Sequence, residues 1–156
     1  MKRRDFAGIS KEEYMPYRFI ARDEKHAQVE VTGKTIQEAF MDGARAAFEI
    51  VGGTEPRRGG KKIECAVQGQ DLSVLFGEWL MTLMFRADAE SLLLGDFEVF
   101  SFQKVTDGYL LTGGAYGDAL PKEIRGKIAD FNEKSFTAQC TSDDQETKIT
   151  LDIKAS

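Results

Sequence analysis

Histidine and cysteine are scarce in this chain of 156 residues, which contains one histidine and two cysteines. Nucleophilic catalysis of the Ser-His or Cys-His kind needs an imidazole beside the nucleophile. The only imidazole is that of His26, and no GxSxG turn or Cys-His signature accompanies it. Self-contained acyl-transfer chemistry is therefore not expected. Cys65 and Cys140 form no CxxC motif or metal-spaced pair, so we predict free thiols in a reducing compartment.

Long apolar runs are also absent. No segment reaches membrane-spanning length, and no apolar run of a signal peptide follows the basic start Met1–Arg4. We therefore expect a cytoplasmic protein with no membrane partner. The 26 acidic residues outnumber the 21 Lys and Arg residues, and the resulting formal net charge of -5 argues against wholesale binding of nucleic acid.

Two segments carry the hydrophobic period of a helix. The first, residues 36–50, follows Thr35, and Glu38 stands at capping-box distance from that threonine. The second, residues 72–86, follows Asp71, a favourable N-cap residue. The side chains predicted to pack these helices against a sheet are Phe40, Ala44, Ala47, Leu75, Trp79 and Leu83.

Alternating apolar and polar residues predict the strands. The predicted strands are 17–20, 27–31, 62–67, 96–105, 109–117, 123–128, 135–140 and 147–153. A turn at 106–108 joins two of them, and the glycines of 113–117 are expected to bend a strand because no phosphate-loop ending follows. The prediction is an α+β fold with two helices on an extensive, largely antiparallel or mixed sheet. A flexible leader, residues 1–15, precedes a single domain at 16–156.

Polar side chains on the strands that flank this fold are candidate site residues. In the last strand Ile149, Leu151 and Ile153 alternate with Thr150 and Asp152, so Asp152 points away from the core. By the same parity His26 points away from the core at the head of the 27–31 strand. Positions of this kind are most often only solvent-facing.

A basic cluster, Arg57, Arg58, Lys61 and Lys62, lies in the Gly-rich segment 54–62. Cations of this type contact phosphate groups of nucleic acid, whereas a basic loop on an acidic protein is commonly only solvated. We predict a mobile loop that supplies at most a peripheral electrostatic contact.

Three ordered motifs resemble those of the archease family over about Tyr17 to Ile153. The first is "YRFI", "DEKH", "AQVEV", Gly33 and "TIQEAFMDGARAAFEI"; the second is "DLSVLFGEWLMTLMF"; the third is the terminal pair Asp152-Ile153. The resemblance implies a non-catalytic accessory protein that promotes guanylylation and turnover of a GTP-dependent RtcB-type RNA ligase. The setting it implies is tRNA splicing or RNA repair, with RNA contacted through the ligase.

The resemblance also implies a divalent metal ion, calcium in the family, held between a motif aspartate and the C-terminal aspartate. In this chain His26 stands at the position of the motif aspartate, and Asp23 stands at the position of the motif histidine. In a second motif, "IRGKIAD", Asp130 replaces the usual histidine. Only Asp152 and Ile153 are unchanged. The candidate metal residues are therefore Asp152, His26, Ile153 and Asp23, in an altered site.

The alteration leaves alternatives open. Hard cations favour oxygen ligands, so an imidazole in place of a carboxylate weakens a calcium site, whereas zinc accepts imidazole. His26 and Asp152 can also simply pair without an ion. We expect these two residues to lie close together at one edge of the sheet and favour the absence of tightly bound calcium. The alternative to ligase activation is a diverged archease-fold module that binds another protein or a small ligand.

Overall fold

The computed structural model describes residues 17–23, 26–52, 59–126 and 134–154. The predicted leader, Arg57 and Arg58 of the basic cluster, and Asp130 lie outside these ranges. The elements are β1 (Tyr17–Arg22), β2 (His26–Gly33), α1 (Ile36–Gly52), β3 (Lys61–Gly69), α2 (Leu72–Glu90), β4 (Leu92–Val105), β5 (Gly108–Ala119), a 3-10 helix (Lys122–Ile124), β6 (Phe136–Ser142) and β7 (Thr147–Lys154).

The strands of the described residues form two sheets, and all pairs within them are antiparallel. One sheet has four strands in the order β1-β2-β7-β6, and the other has three in the order β3-β5-β4. The α+β prediction is confirmed, but the single extensive sheet is resolved into two smaller ones. Apolar alternation shows which side of a strand is buried and carries no information on which strand lies beside it.

The N-terminal ends of both helices are capped as predicted. The Thr35 hydroxyl accepts a hydrogen bond from the Glu38 N–H (3.0 Å), and the Asp71 carboxylate accepts one from the Val74 N–H (2.8 Å). These bonds satisfy donors that the first helical turn leaves open. Both helices run further than predicted at their C-terminal ends, and α2 closes on Ser91 in the left-handed conformation (φ 54°).

The core lies where the helices contact both sheets. α1 packs on β4 and on β2 and β7, while α2 packs on β3 and β6. The six side chains predicted to pack there, Phe40, Ala44, Ala47, Leu75, Trp79 and Leu83, are all fully buried. The rings of Phe40 and Phe76 meet edge to face across the two helices, with centroids 5.2 Å apart.

One strand prediction is wrong over the part of it that the structure describes. Residues 123–126 were expected to begin a strand, and they are helical instead, with the 3-10 turn at Lys122–Ile124 following Pro121. Pro121 caps this turn in an extended conformation (φ -61°, ψ 145°), and a proline, which has no N–H to donate to a ladder, disfavours a strand beside it.

No helix in the described part of the chain is long and apolar enough to span a membrane.

Candidate functional site

The turn between β1 and β2 fixes the position of His26. The Asp23 carboxylate accepts a hydrogen bond from the His26 backbone N–H (2.8 Å), and the Asp23 N–H donates to the His26 carbonyl (2.8 Å). A carboxylate that binds backbone a few residues ahead stabilises a tight turn. One oxygen of Asp23 therefore serves the turn that starts β2.

Strand register then brings His26 to Asp152. In the antiparallel pair of β2 and β7, Gln28 faces Asp152 and His26 faces Lys154. His26 and Asp152 are thus diagonal neighbours on one face of the sheet, within reach of each other's side chains. On the opposite face Ala27 and Ile153 are buried, as the alternation predicted.

The imidazole and the carboxylate are in direct contact. His26 Nε2 meets Asp152 Oδ1, and the two side chains are 38% and 36% exposed, respectively. They lie at one end of the sheet, on strands that each have neighbours on both sides, so the predicted location on an edge is wrong. The pair is too open to water to contribute much to stability.

This donor set does not fit calcium. Calcium takes about six to eight oxygen ligands, and this pair supplies one carboxylate and one nitrogen. The side chain of Ile153 is in the core, and an oxygen of Asp23 is bonded to the turn. Across residues 17–23, 26–52, 59–126 and 134–154, no three His, Cys, Asp or Glu side chains cluster as a metal site. Lys154, which faces His26 on β7, adds a further positive charge at this end of the sheet.

Neither thiol is an activated nucleophile. Burial, with a smaller contribution from the Asp71 charge, raises the pKa of Cys140 to about 11. Burial also raises the pKa of Cys65, and the Arg86 charge opposes that shift. Since the thiolate is the reactive form, both cysteines are unreactive near neutral pH.

Half of the basic cluster belongs to a strand. Lys61 and Lys62 open β3 and pair with Gly117 and Tyr116 of β5, so the prediction of a mobile loop is wrong for them. Backbone pairing to β5 holds both residues in the sheet. The Lys61 ammonium lies 3.6 Å from Glu90, and the Lys62 ammonium lies 3.3 Å from Glu64.

The model of the archease protein family matches residues 24–153 of this chain. The chain belongs to the archease family. The resemblance drawn from the three sequence motifs is thereby confirmed.

Two archeases show the extent of the similarity. Protein archease of Pyrococcus furiosus is 37% identical over 92 residues, which cover 58% of this chain and 63% of that protein. Protein archease of Methanosarcina barkeri is 26% identical over 126 residues, or 78% of this chain and 85% of that protein. The match to the Pyrococcus archease thus spans just under two thirds of its length.

The fold is shared with a solved structure as well. The solution structure of Methanobacterium thermoautotrophicum protein 1598 superimposes with a TM-score of 0.69 and covers 89% of this chain and 98% of its own. Its sequence is 22% identical to this one, so the similarity supports the archease fold alone.

Sequence reasoning missed the solvent-facing side of α2. Phe85 is 70% exposed, and Val74 on the same helix is 45% exposed. The sequence did indicate this exposed apolar side, because α2 also has apolar residues on the side opposite its buried stripe. An amphipathic surface helix normally has polar residues there.

Proposed function

We propose that this archease-family chain is a non-catalytic accessory protein of a GTP-dependent RtcB-type RNA ligase. It promotes guanylylation and repeated turnover of the ligase in tRNA splicing or RNA repair, and it meets RNA through the ligase. The observation that carries the proposal is the family match over residues 24–153. Two unpaired cysteines agree with a reducing cytoplasmic setting.

The chemistry of the described side chains supports a non-catalytic role. His26, the only histidine, is in contact with Asp152 and has neither thiol as a partner. The thiols of Cys65 and Cys140 have raised pKa values. General acid-base or nucleophilic catalysis needs an activated group and its partner in one place. Bond formation is accordingly assigned to the ligase.

The His26–Asp152 contact adds a second component to the proposal. Because these residues do not fit calcium, the protein acts on the ligase without tightly bound calcium. The presence of His26 at the position of the motif aspartate also favours the alternative function, a diverged archease-fold module that binds another protein or a small ligand.

A guanylylation assay under multiple-turnover conditions tests the proposal. With the cognate ligase, GTP and excess RNA ends, addition of this protein is expected to convert a single round of ligation into many. Protein stripped with a calcium chelator and dialysed is expected to act equally well. An equal amount of an unrelated acidic protein is the control. Ligation that stops after one round in the presence of this protein would favour the binding-module alternative.

The basic cluster gives a separate, smaller prediction. Replacing Arg57, Arg58, Lys61 and Lys62 together by Ala is expected to weaken association with the ligase–RNA assembly mainly at low salt. Contacts between exposed charges are screened as ionic strength rises. Affinity measured at several salt concentrations checks this. A loss of activation that is the same at all salt concentrations would mean that the cluster has a specific binding role.

A further inference from the structure

An apolar ridge runs along the solvent-facing side of α2. We define the α2 ridge as Val74, Met81 and Phe85 with Glu78 between them; spacings of four and three residues place these side chains on one helix face. Phe85 is the most exposed large apolar side chain in the described part of the chain, at 70%. The opposite face of the helix, which includes Trp79, is already buried in the core. A helix that is apolar on both sides is typical of one covered on both sides.

The ridge continues into a groove at the start of α2. The groove has a volume of about 640 Å³ and lies between this helix end and the tip of the β4–β5 hairpin, with Val74, Val105 and Tyr109 in its lining. Val74 belongs to both features, so ridge and groove form one surface. The hairpin tip is pressed against the groove floor, since a Cβ on Gly108 would lie 2.3 Å from the Gly69 carbonyl oxygen.

Four carboxylates lie along this surface. Its carboxylates are those of Asp71, Glu78, Asp88 and Asp107. Within the part of the chain that the structure describes, the side chains of Glu78 and Asp88 form no ion pair or hydrogen bond.

Arg86 and Lys104 are two of the cations near this surface. The Arg86 guanidinium is held by the Glu90 carboxylate (2.9 Å) and by the Glu64 carbonyl (2.8 Å), so it does not offset the ridge acids. The other, Lys104, faces Tyr109 beside the groove. The surface therefore combines exposed apolar anchors with unpaired carboxylates.

We propose that the α2 ridge and its groove dock a protein segment that presents apolar side chains bordered by Lys and Arg. This rests on the proposed function, in which the partner is the RNA ligase, because an RNA-binding enzyme carries basic surface. A second copy of this chain is the wrong occupant. Two ridges face to face would bring Glu78 and Asp88 together with their own counterparts in a chain of formal net charge -5, and like charges disfavour such contact.

Calorimetric titration of the cognate ligase with variants tests this docking surface. Phe85→Ala is expected to weaken binding about tenfold or more, because large aromatic anchors dominate interface affinity. Ile20→Ala is the control: Ile20 is 51% exposed and lies on β1, at the opposite edge of its sheet from β6, on which α2 packs. The affinity of this variant should stay within about twofold of wild type. Thermal melts of both variants verify that the fold is intact.

Charge reversal and self-association complete the test. Glu78→Lys combined with Asp88→Lys is expected to weaken ligase binding and to reduce its dependence on salt. Wild-type binding that Phe85→Ala leaves unchanged would overturn the docking surface while the proposed function stands. Absence of wild-type binding to the ligase would overturn both. A wild-type dimer in sedimentation that Phe85→Ala dissociates would show that the occupant is a second copy.

Discussion

Replacement of Trp79 by Ala is expected to lower the free energy of unfolding by about 3–5 kcal/mol. Trp79 is fully buried on α2, and its indole N–H donates a hydrogen bond to the Phe40 carbonyl (3.1 Å) on α1. The truncation removes apolar contacts, leaves a cavity between the helices and the sheet, and removes one of the hydrogen bonds to a buried carbonyl. All three effects lower stability.

Urea denaturation followed by circular dichroism measures this change. Phe85→Ala removes an aromatic ring from the same helix at a 70% exposed position, so it should change the stability by less than about 0.5 kcal/mol. The dependence of the unfolding free energy on urea should be similar in both variants. A loss below about 1 kcal/mol for Trp79→Ala would contradict the packing described here.

The fit of Trp79 also explains a glycine whose role the sequence did not reveal. A Cβ on Gly113 of β5 would lie 2.8 Å from the Trp79 ring and 2.5 Å from the Glu98 carbonyl oxygen. The glycines of 113–117 were predicted to bend a strand. Gly113 also makes room for the indole: through this stretch β5 pairs with β3 without a shift, whereas β4 shifts register between Val99, which faces Gly113, and Ser101. A steric constraint of this kind comes from a side chain that is distant in the sequence, so no local sequence pattern predicts it.

Local signals predicted the helices well because each helix carries its own start signal and period. Thr35 and Asp71 cap the helices where expected. The predicted end of α2, residue 86, lies four residues before the observed end at Glu90. No Gly or Pro marks the end of the helix, because the next such residue is Gly95. The helix ends instead through Ser91, whose left-handed conformation the sequence does not signal. Partition of the strands into two sheets could not be predicted, since it is decided by packing of both helices against both sheets.

Only part of the candidate site could be predicted, because its contacts depend on strand pairing as well as on local alternation. Alternation placed His26 and Asp152 away from the core, and alignment with the archease motifs suggested that they meet. The diagonal register that brings them into contact depends on β2 and β7 pairing, which the sequence alone does not specify. The use of the Asp23 carboxylate in the turn likewise became evident only from its bond to His26.

Replacing His26 by Asp is expected to create a calcium site where the wild type has a contact between imidazole and carboxylate. The change introduces the carboxylate that the resemblance to the archease motif implies at this position, and it puts two carboxylates on diagonal positions of β2 and β7. Their mutual repulsion lowers stability in the absence of a cation, and calcium relieves it. We expect a dissociation constant on the order of 10⁻⁴–10⁻³ M, the range of weak calcium modules, and no saturable binding by the wild type at these concentrations.

Two measurements with independent readouts check this gain of binding. Calorimetric titration with calcium should show binding for His26→Asp only, and thermal melts should show that variant stabilised by about 2.7 kcal/mol at a hundredfold excess over the dissociation constant.

His26→Asn is the matched control, because it removes the imidazole without adding charge. Adding Asp152→Asn to His26→Asp should abolish the site. Parallel titration with zinc covers an ion that accepts imidazole. Tight calcium binding by the wild type that Asp152→Asn removes would refute the interpretation that His26 and Asp152 pair without an ion. No binding by His26→Asp would mean that restoring this one carboxylate is insufficient while Asp23 remains bonded to the turn.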